Sequence, residues 1–171
     1  KRSLGGPLTH TLSLFLPEDS VEAAHILFKE TFPKYMFEGM VILEGAMDLI
    51  KKLNSQGIPQ AIITNKQGVN ARAVSKKCGF DQYINVCIGN GDNPYQKPQI
   101  EFTEAVIQAM GGDYKNIVLI GDSPTDVQTA LNYKADCFAV STGSHSQHEL
   151  AEAGAKKVFS NLNELIQLWA L

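Results

Sequence analysis

Several features that would assign this chain to a common functional class are scarce or missing. Its 171 residues include three cysteines, Cys78, Cys87 and Cys137, scattered and odd in number. That pattern forms neither a disulfide frame nor a zinc site, and it suits free thiols in a reducing compartment. The formal net charge is −3 and the lysines and arginines form no basic run, so the footprint of a nucleic-acid binder is missing. No apolar stretch is long enough to cross a bilayer, and no secretory signal pattern opens the chain. Internal repeats and low-complexity segments are also absent. The expectation is a cytoplasmic protein that engages neither nucleic acid nor membrane. One more absence bears on chemistry. The aspartates are Asp19, Asp48, Asp81, Asp92, Asp113, Asp122, Asp126 and Asp136, and no two of them stand two residues apart.

What is present is enough apolar material for a core, 44% of residues, in a length typical of one domain. The first three dozen residues read as helical. After the breaker Gly5-Gly6-Pro7, the run Asp19-Ser20-Val21-Glu22 resembles a capping box, and Pro33 is expected to close the helix that follows. From residue 38 the texture changes to alternating strands and helices. Met47, Ile50 and Leu53 form a helical stripe stopped by Gly57. The expected strands are Ile58–Thr64, Ile84–Gly89, Ile117–Gly121, Cys137–Val140 and a weak edge strand Lys157–Phe159. Between and after them come helices over Gly68–Cys78, from Lys97-Pro98 to Gly111, from Pro124 onward, over Glu149–Ala153, and a last stripe of Leu162, Leu165, Ile166 and Trp169. That alternation predicts an α/β fold with a Rossmann-like parallel sheet and helices on both faces.

Chemistry is expected at three strand ends along one edge of that sheet, the edge where open α/β sheets place ligands. Thr64-Asn65 ends the first strand, Lys97 follows the loop after the second, and Asp122 and Asp126 bracket the strand-to-helix turn Gly121-Asp122-Ser123-Pro124. Two converging carboxylates suit a hard, oxygen-seeking cation, of which Mg²⁺ is the usual partner of phosphate. The competing reading is that Asp122 merely caps the helix and Asp126 complements its dipole. A hydroxyl, an ammonium and two acids together are what phoshoryl transfer requires, because that reaction rests on positioning and electrostatic stabilisation. His145 and His148 lie three apart with no third metal ligand nearby. Gly143 is expected to supply loop conformation, and Arg2 could face a substrate carboxylate.

ITNKQG, KPQIEFTEAV and IGDSPTDVQTA resemble, in this order, the second, third and fourth motifs of the haloacid dehalogenase superfamily of phosphohydrolases. Within it, the chain resembles the phosphoglycolate-phosphatase-like branch. The resemblance implies that Thr64, Asn65 and Lys97 bind the phosphoryl group, with Thr64 and Lys97 catalytic, and that Asp122 and Asp126 hold Mg²⁺. It implies a magnesium-dependent phosphatase acting on a small phosphorylated metabolite, of phosphoglycolate or sugar-phosphate type, through an aspartyl-phosphate. Residues 1–37 resemble part of a small helical cap, leaving 38–171 as the core.

The superfamily's first motif, an Asp-x-Asp on the central strand, has no counterpart in this sequence. Its first acid is the nucleophile and its second the general acid/base. The expectation is that this strand lies upstream of the cap in the parent protein or that a separate segment supplies it, and that the present chain alone is inactive. A non-catalytic phosphate-binding or regulatory module of the same fold is the alternative, and a phosphomutase a further one.

Overall fold

The computed structural model describes residues 8–114 and 116–169. Gly5-Gly6-Pro7 and Arg2 lie outside the described residues. The chain opens with two helices, α1 (Leu8–Ser13) and α2 (Glu18–Tyr35), neither of which has a buried residue. The capping box expected at Asp19 does not form. The N-cap of α2 is Pro17, without a side-chain hydrogen bond, and Pro33 sits inside the helix. A proline near the end of a helix removes a hydrogen bond only in the last turn, which a solvent-facing helix tolerates. Phe28 and Phe32 stack with ring centroids 4.9 Å apart.

The remainder follows the expected alternation: α3 (Ala46–Ser55), β1 (Ala61–Gln67), α4 (Gly68–Cys78), β2 (Val86–Asn90), α5 (Ile100–Ala109), β3 (Val118–Gly121), α6 (Pro124–Asn132), β4 (Asp136–Val140), α7 (Gln147–Glu152), β5 (Lys157–Phe159) and α8 (Leu162–Leu168). β1 begins three residues later than periodicity predicts, for a local reason. The Ile58 N–H donates to the Leu53 carbonyl at 3.0 Å, so Ile58 still belongs to the C-terminal cap of α3. Pro59 has no N–H, and the Gln60 N–H is taken by the Asn85 side chain at 2.9 Å. The ladder therefore opens at Ala61. In the same way, the Ile84 N–H turns back to Phe80, so β2 starts only at Val86. Asn65 thus lies within β1, and Lys97 precedes α5 in the loop.

All observed strand pairs are parallel, and they form two separate sheets: β1 with β2, and β3-β4-β5. β4 shows how the layers are built. Phe138 and Val140 join Leu49, Phe159, Leu162, Leu165 and Ile166 on one face, under α3 and α8. Cys137 and Ala139 join Leu119, Val127, Ala130 and Leu150 on the other, under α6 and α7. Successive side chains point to opposite sides of a strand, and an uninterrupted apolar run lets both sides be covered. Each fully buried leucine, such as Leu150 or Leu165, is worth about 1.5–3 kcal/mol relative to exposure. Trp169 packs edge-on against Phe138 at 5.3 Å.

β1 and β3 are not paired with each other. Between them lies an apolar slot of about 760 Å³, lined by Ile62 and Ile63 of β1, Leu119 and Ile120 of β3, Leu49 of α3 and Val106 of α5.

Candidate active site

The carboxyl ends of β1 and β3 meet through side chains. Asn65, next to Thr64, clamps the backbone of Lys97 from both sides: its Oδ1 accepts from the Lys97 N–H at 2.9 Å, and its Nδ2 donates to the Lys97 carbonyl at 3.2 Å. This two-point grip fixes the loop before α5 against the end of β1. Lys97 then extends across to α6, where its Nζ donates to Asp126 Oδ1 at 2.5 Å. Both residues are buried, with 7% and 8% of their surface exposed. A buried lysine paired with a buried carboxylate is costly unless the remaining polar atoms are satisfied. Here Asp126 Oδ2 accepts from the N–H groups of Asp122 and Ser123 at 3.2 and 3.1 Å, and from Ser123 Oγ at 2.7 Å.

Those contacts also make Asp126 the third residue of a capping box whose N-cap is Ser123, with Pro124 opening the helix. The capping role anticipated for Asp122 thus falls to Ser123, leaving the Asp122 carboxylate uncommitted to the helix. Asp126 both caps α6 and receives Lys97. Burial pushes the Asp126 carboxyl up, but the Lys97 charge, its hydrogen bond and those from Ser123 and the backbone outweigh it, so the net shift is downward. Asp122 shifts the other way. Burial raises it and the neighbouring Asp126 charge adds to this, outweighing its own backbone N–H, Lys97 and His145, which pull the other way. Among the described residues no ammonium or guanidinium forms an ion pair with Asp122.

Gly143, in the loop after β4, lies directly over that carboxylate. A Cβ at this position would overlap Asp122 Oδ2. Its φ is not in the left-handed region, so the glycine provides close approach and not the loop conformation expected of it. Gly121 likewise lies against Asp126, where a Cβ would meet the side chain.

The donor set of Asp122 and Asp126, all carboxylate oxygen, fits a small hard cation such as Mg²⁺. Among the described residues there is no cluster of three or more His, Cys, Asp or Glu that would complete a site. The other ligands would have to be water, a phosphate oxygen or a group from outside this set. His148 points elsewhere, with Nδ1 3.1 Å from Glu152 on an exposed helix face. Three participants are hard to see in the sequence. Ser123 could have been found from the serine-to-acid spacing of a capping box, whereas the contact roles of Gly143 and Lys66 depend on segments distant in the chain. Lys66 places its Nζ 4.3 Å from the centre of the Phe32 ring.

Comparison with known proteins adds three findings. The family model described as haloacid dehalogenase-like hydrolase matches residues 1–140, a span that includes Thr64, Asn65, Lys97, Asp122 and Asp126. The phosphoglycolate phosphatase of Pseudomonas fluorescens (strain Pf0-1) is 29% identical over 168 residues, covering 97% of this chain and 60% of that protein. Phosphoglycolate phosphatase 1 of Pseudomonas aeruginosa is 27% identical over 166 residues, again with 97% and 60% coverage. The chain therefore spans about 60% of the length of these curated relatives. In three dimensions, a putative haloacid dehalogenase-like hydrolase from Bacteroides fragilis superposes with a TM-score of 0.87 at 22% identity, covering 96% of this chain and 80% of that one. That likeness establishes the fold.

Proposed function

Because the chain belongs to the haloacid dehalogenase-like hydrolase family, we propose that it carries the phosphate-binding and metal-binding side of a phosphatase site for a small phosphomonoester. The relatives' name suggests phosphoglycolate as the first substrate to test. The observation that carries this reading is the Asn65–Lys97–Asp126 chain of contacts, which draws the end of β1, the loop before α5 and the start of α6 to one point.

In this reading Thr64 donates its hydroxyl to a phosphoryl oxygen, and Lys97 offsets the charge that accumulates on the equatorial oxygens in the transition state. Asn65 acts by holding Lys97 in place. Asp122 and Asp126 would hold Mg²⁺, which supplies Lewis-acid polarisation of the phosphoryl group when bound. Asp122 is the more available of the two, since Asp126 is already engaged by four donors. Residues 1–37 would form part of a cap over the site.

The nucleophile comes from outside the described residues. We place it on an extended apolar segment that fills the slot between β1 and β3 and ends in acid beside Asp122. The unpaired edges of β1 and β3 among the described residues and the apolar slot lined by both strands support this. The carboxylate would attack phosphorus and the ester P–O bond would break, releasing the alcohol. Water would then cleave the aspartyl-phosphate. A phosphate-binding module without turnover is the second reading, and an Asp-x-Asp strand in the parent protein would decide against it. Calorimetric titration with Mg²⁺ tests the metal half of the reading. Asp122→Asn should weaken binding at least tenfold, and unchanged affinity would remove the metal assignment.

A further inference from the structure

We propose that Lys66 is the specificity residue of this site, receiving a carboxylate at the non-phosphoryl end of the substrate. The inference rests on the phosphatase reading for the placement of the phosphoryl group at Thr64 and Lys97. Lys66 lies two residues beyond Thr64 on the same strand, and its backbone N–H donates to Thr64 Oγ1 at 3.1 Å. Its side chain leaves the strand end and reaches helix α2, where the ammonium sits 4.3 Å from the centre of the Phe32 ring. Phe32 is itself backed by Phe28.

Lys66 therefore bridges the core and the helical segment expected to cover the site. Two of the other site-side cations have acids of their own. Lys97 is paired with Asp126, and Arg72 with Asp92 at 2.7 Å. Among the described residues no carboxylate pairs with Lys66. Lys66 is exposed overall, and desolvation at its ammonium lowers it from its ordinary value with no carboxylate raising it back. A ring occupies only one side of an ammonium with three donors, which leaves N–H groups for an incoming carboxylate. Lys66 follows Thr64 by two residues where the ladder of β1 loses its regular register, so a phosphoryl group at Thr64 and a carboxylate at Lys66 would belong to one short ligand.

The test is equilibrium binding by calorimetry, with phosphonoacetate and methylphosphonate as probes that differ by the carboxylate alone. Lys66→Gln should weaken phosphonoacetate binding by about tenfold or more, the loss expected for a charge-assisted hydrogen bond, while methylphosphonate affinity moves less than about twofold. Lys66→Arg, which keeps the charge, should recover most of the loss. Equal weakening of both probes, or no weakening of either, overturns the proposal. Turnover of phosphomonoesters is measured separately. If turnover stays absent even when an acid-bearing segment is supplied to the slot between β1 and β3, while the two probes still discriminate, the catalytic reading fails and the carboxylate site stands.

Discussion

Replacing Lys97 with methionine removes the cation from a pair in which both side chains are almost fully buried, at an Nζ–Oδ1 distance of 2.5 Å. Methionine keeps most of the apolar stem, so packing changes little and the electrostatic term dominates. Leaving one partner of a buried pair uncompensated costs about 3–5 kcal/mol. The three donors that remain on Asp126 Oδ2 place the expected loss near the lower end, about 3 kcal/mol at neutral pH. The pH dependence gives the mechanism a sign. In the unmodified protein Asp126 is held below its ordinary carboxyl range. Its ionised form thus contributes stability that is present above the unfolded-state value and lost as pH falls through the folded one. Without Lys97, burial prevails and the carboxyl rises. The variant is then penalised at neutral pH and relieved on acidification, so the stability gap should narrow as pH falls toward and through the ordinary carboxyl range. Urea unfolding followed by the fluorescence of Trp169, the only tryptophan, measures this directly. Adding Asp126→Asn to Lys97→Met should recover part of the loss, because the orphaned charge is gone. A single variant that loses less than about 1 kcal/mol, or a double variant no better than the single, would refute the reasoning.

Three further outcomes follow from the same geometry. Asp122→Asn should leave the metal-free protein as stable or more so, because burial and the Asp126 charge already disfavour the ionised form. The same change should abolish the rise in melting temperature on adding Mg²⁺, and a retained rise counts against the site. Gly143→Ala introduces a methyl group that overlaps the Asp122 carboxylate, so it should reduce that magnesium response without touching a ligand, and an unchanged response would mean the loop yields freely. Asn65→Ala removes both contacts to the Lys97 backbone and should cost about 1–3 kcal/mol in urea unfolding. It should also weaken inorganic phosphate binding, because Lys97 is no longer aimed.

The legible part of this molecule was the part with strong local punctuation. A β-branched run broken by Gly121-Asp122 and followed by Pro124 locates a strand end and a helix start without any tertiary information. The helix stop at Gly79, with a left-handed φ of 74°, is equally local. The misplaced strand starts come from hydrogen bonds that periodicity does not see, some local, as Ile58 to Leu53 and Ile84 to Phe80, and one distant. Apolar periodicity cannot show that Asn85 takes the Gln60 N–H and so delays β1. Gly143 reads as an ordinary loop glycine because the atom that forbids a Cβ there belongs to Asp122, in the turn between β3 and α6. The serine-to-acid spacing of Ser146 and Glu149 is a capping box that starts α7 at Gln147, two residues before the helix expected at Glu149. The division of the strands into two sheets was visible only in outline, as a missing motif, whereas the volume and lining of the slot between them required coordinates.

The central claim is that this chain provides a phosphatase site completed by an acid-bearing strand in the slot between β1 and β3. Phosphate release from phosphoglycolate in the presence of Mg²⁺ tests it most directly, measured for the 171-residue chain alone and for the same chain joined to an extended apolar segment ending in Asp-x-Asp. The account predicts no magnesium-dependent turnover by the chain alone and clear turnover by the joined form, lost again when the first aspartate of that segment becomes asparagine. Turnover by the chain alone at the rate of the joined form would contradict it.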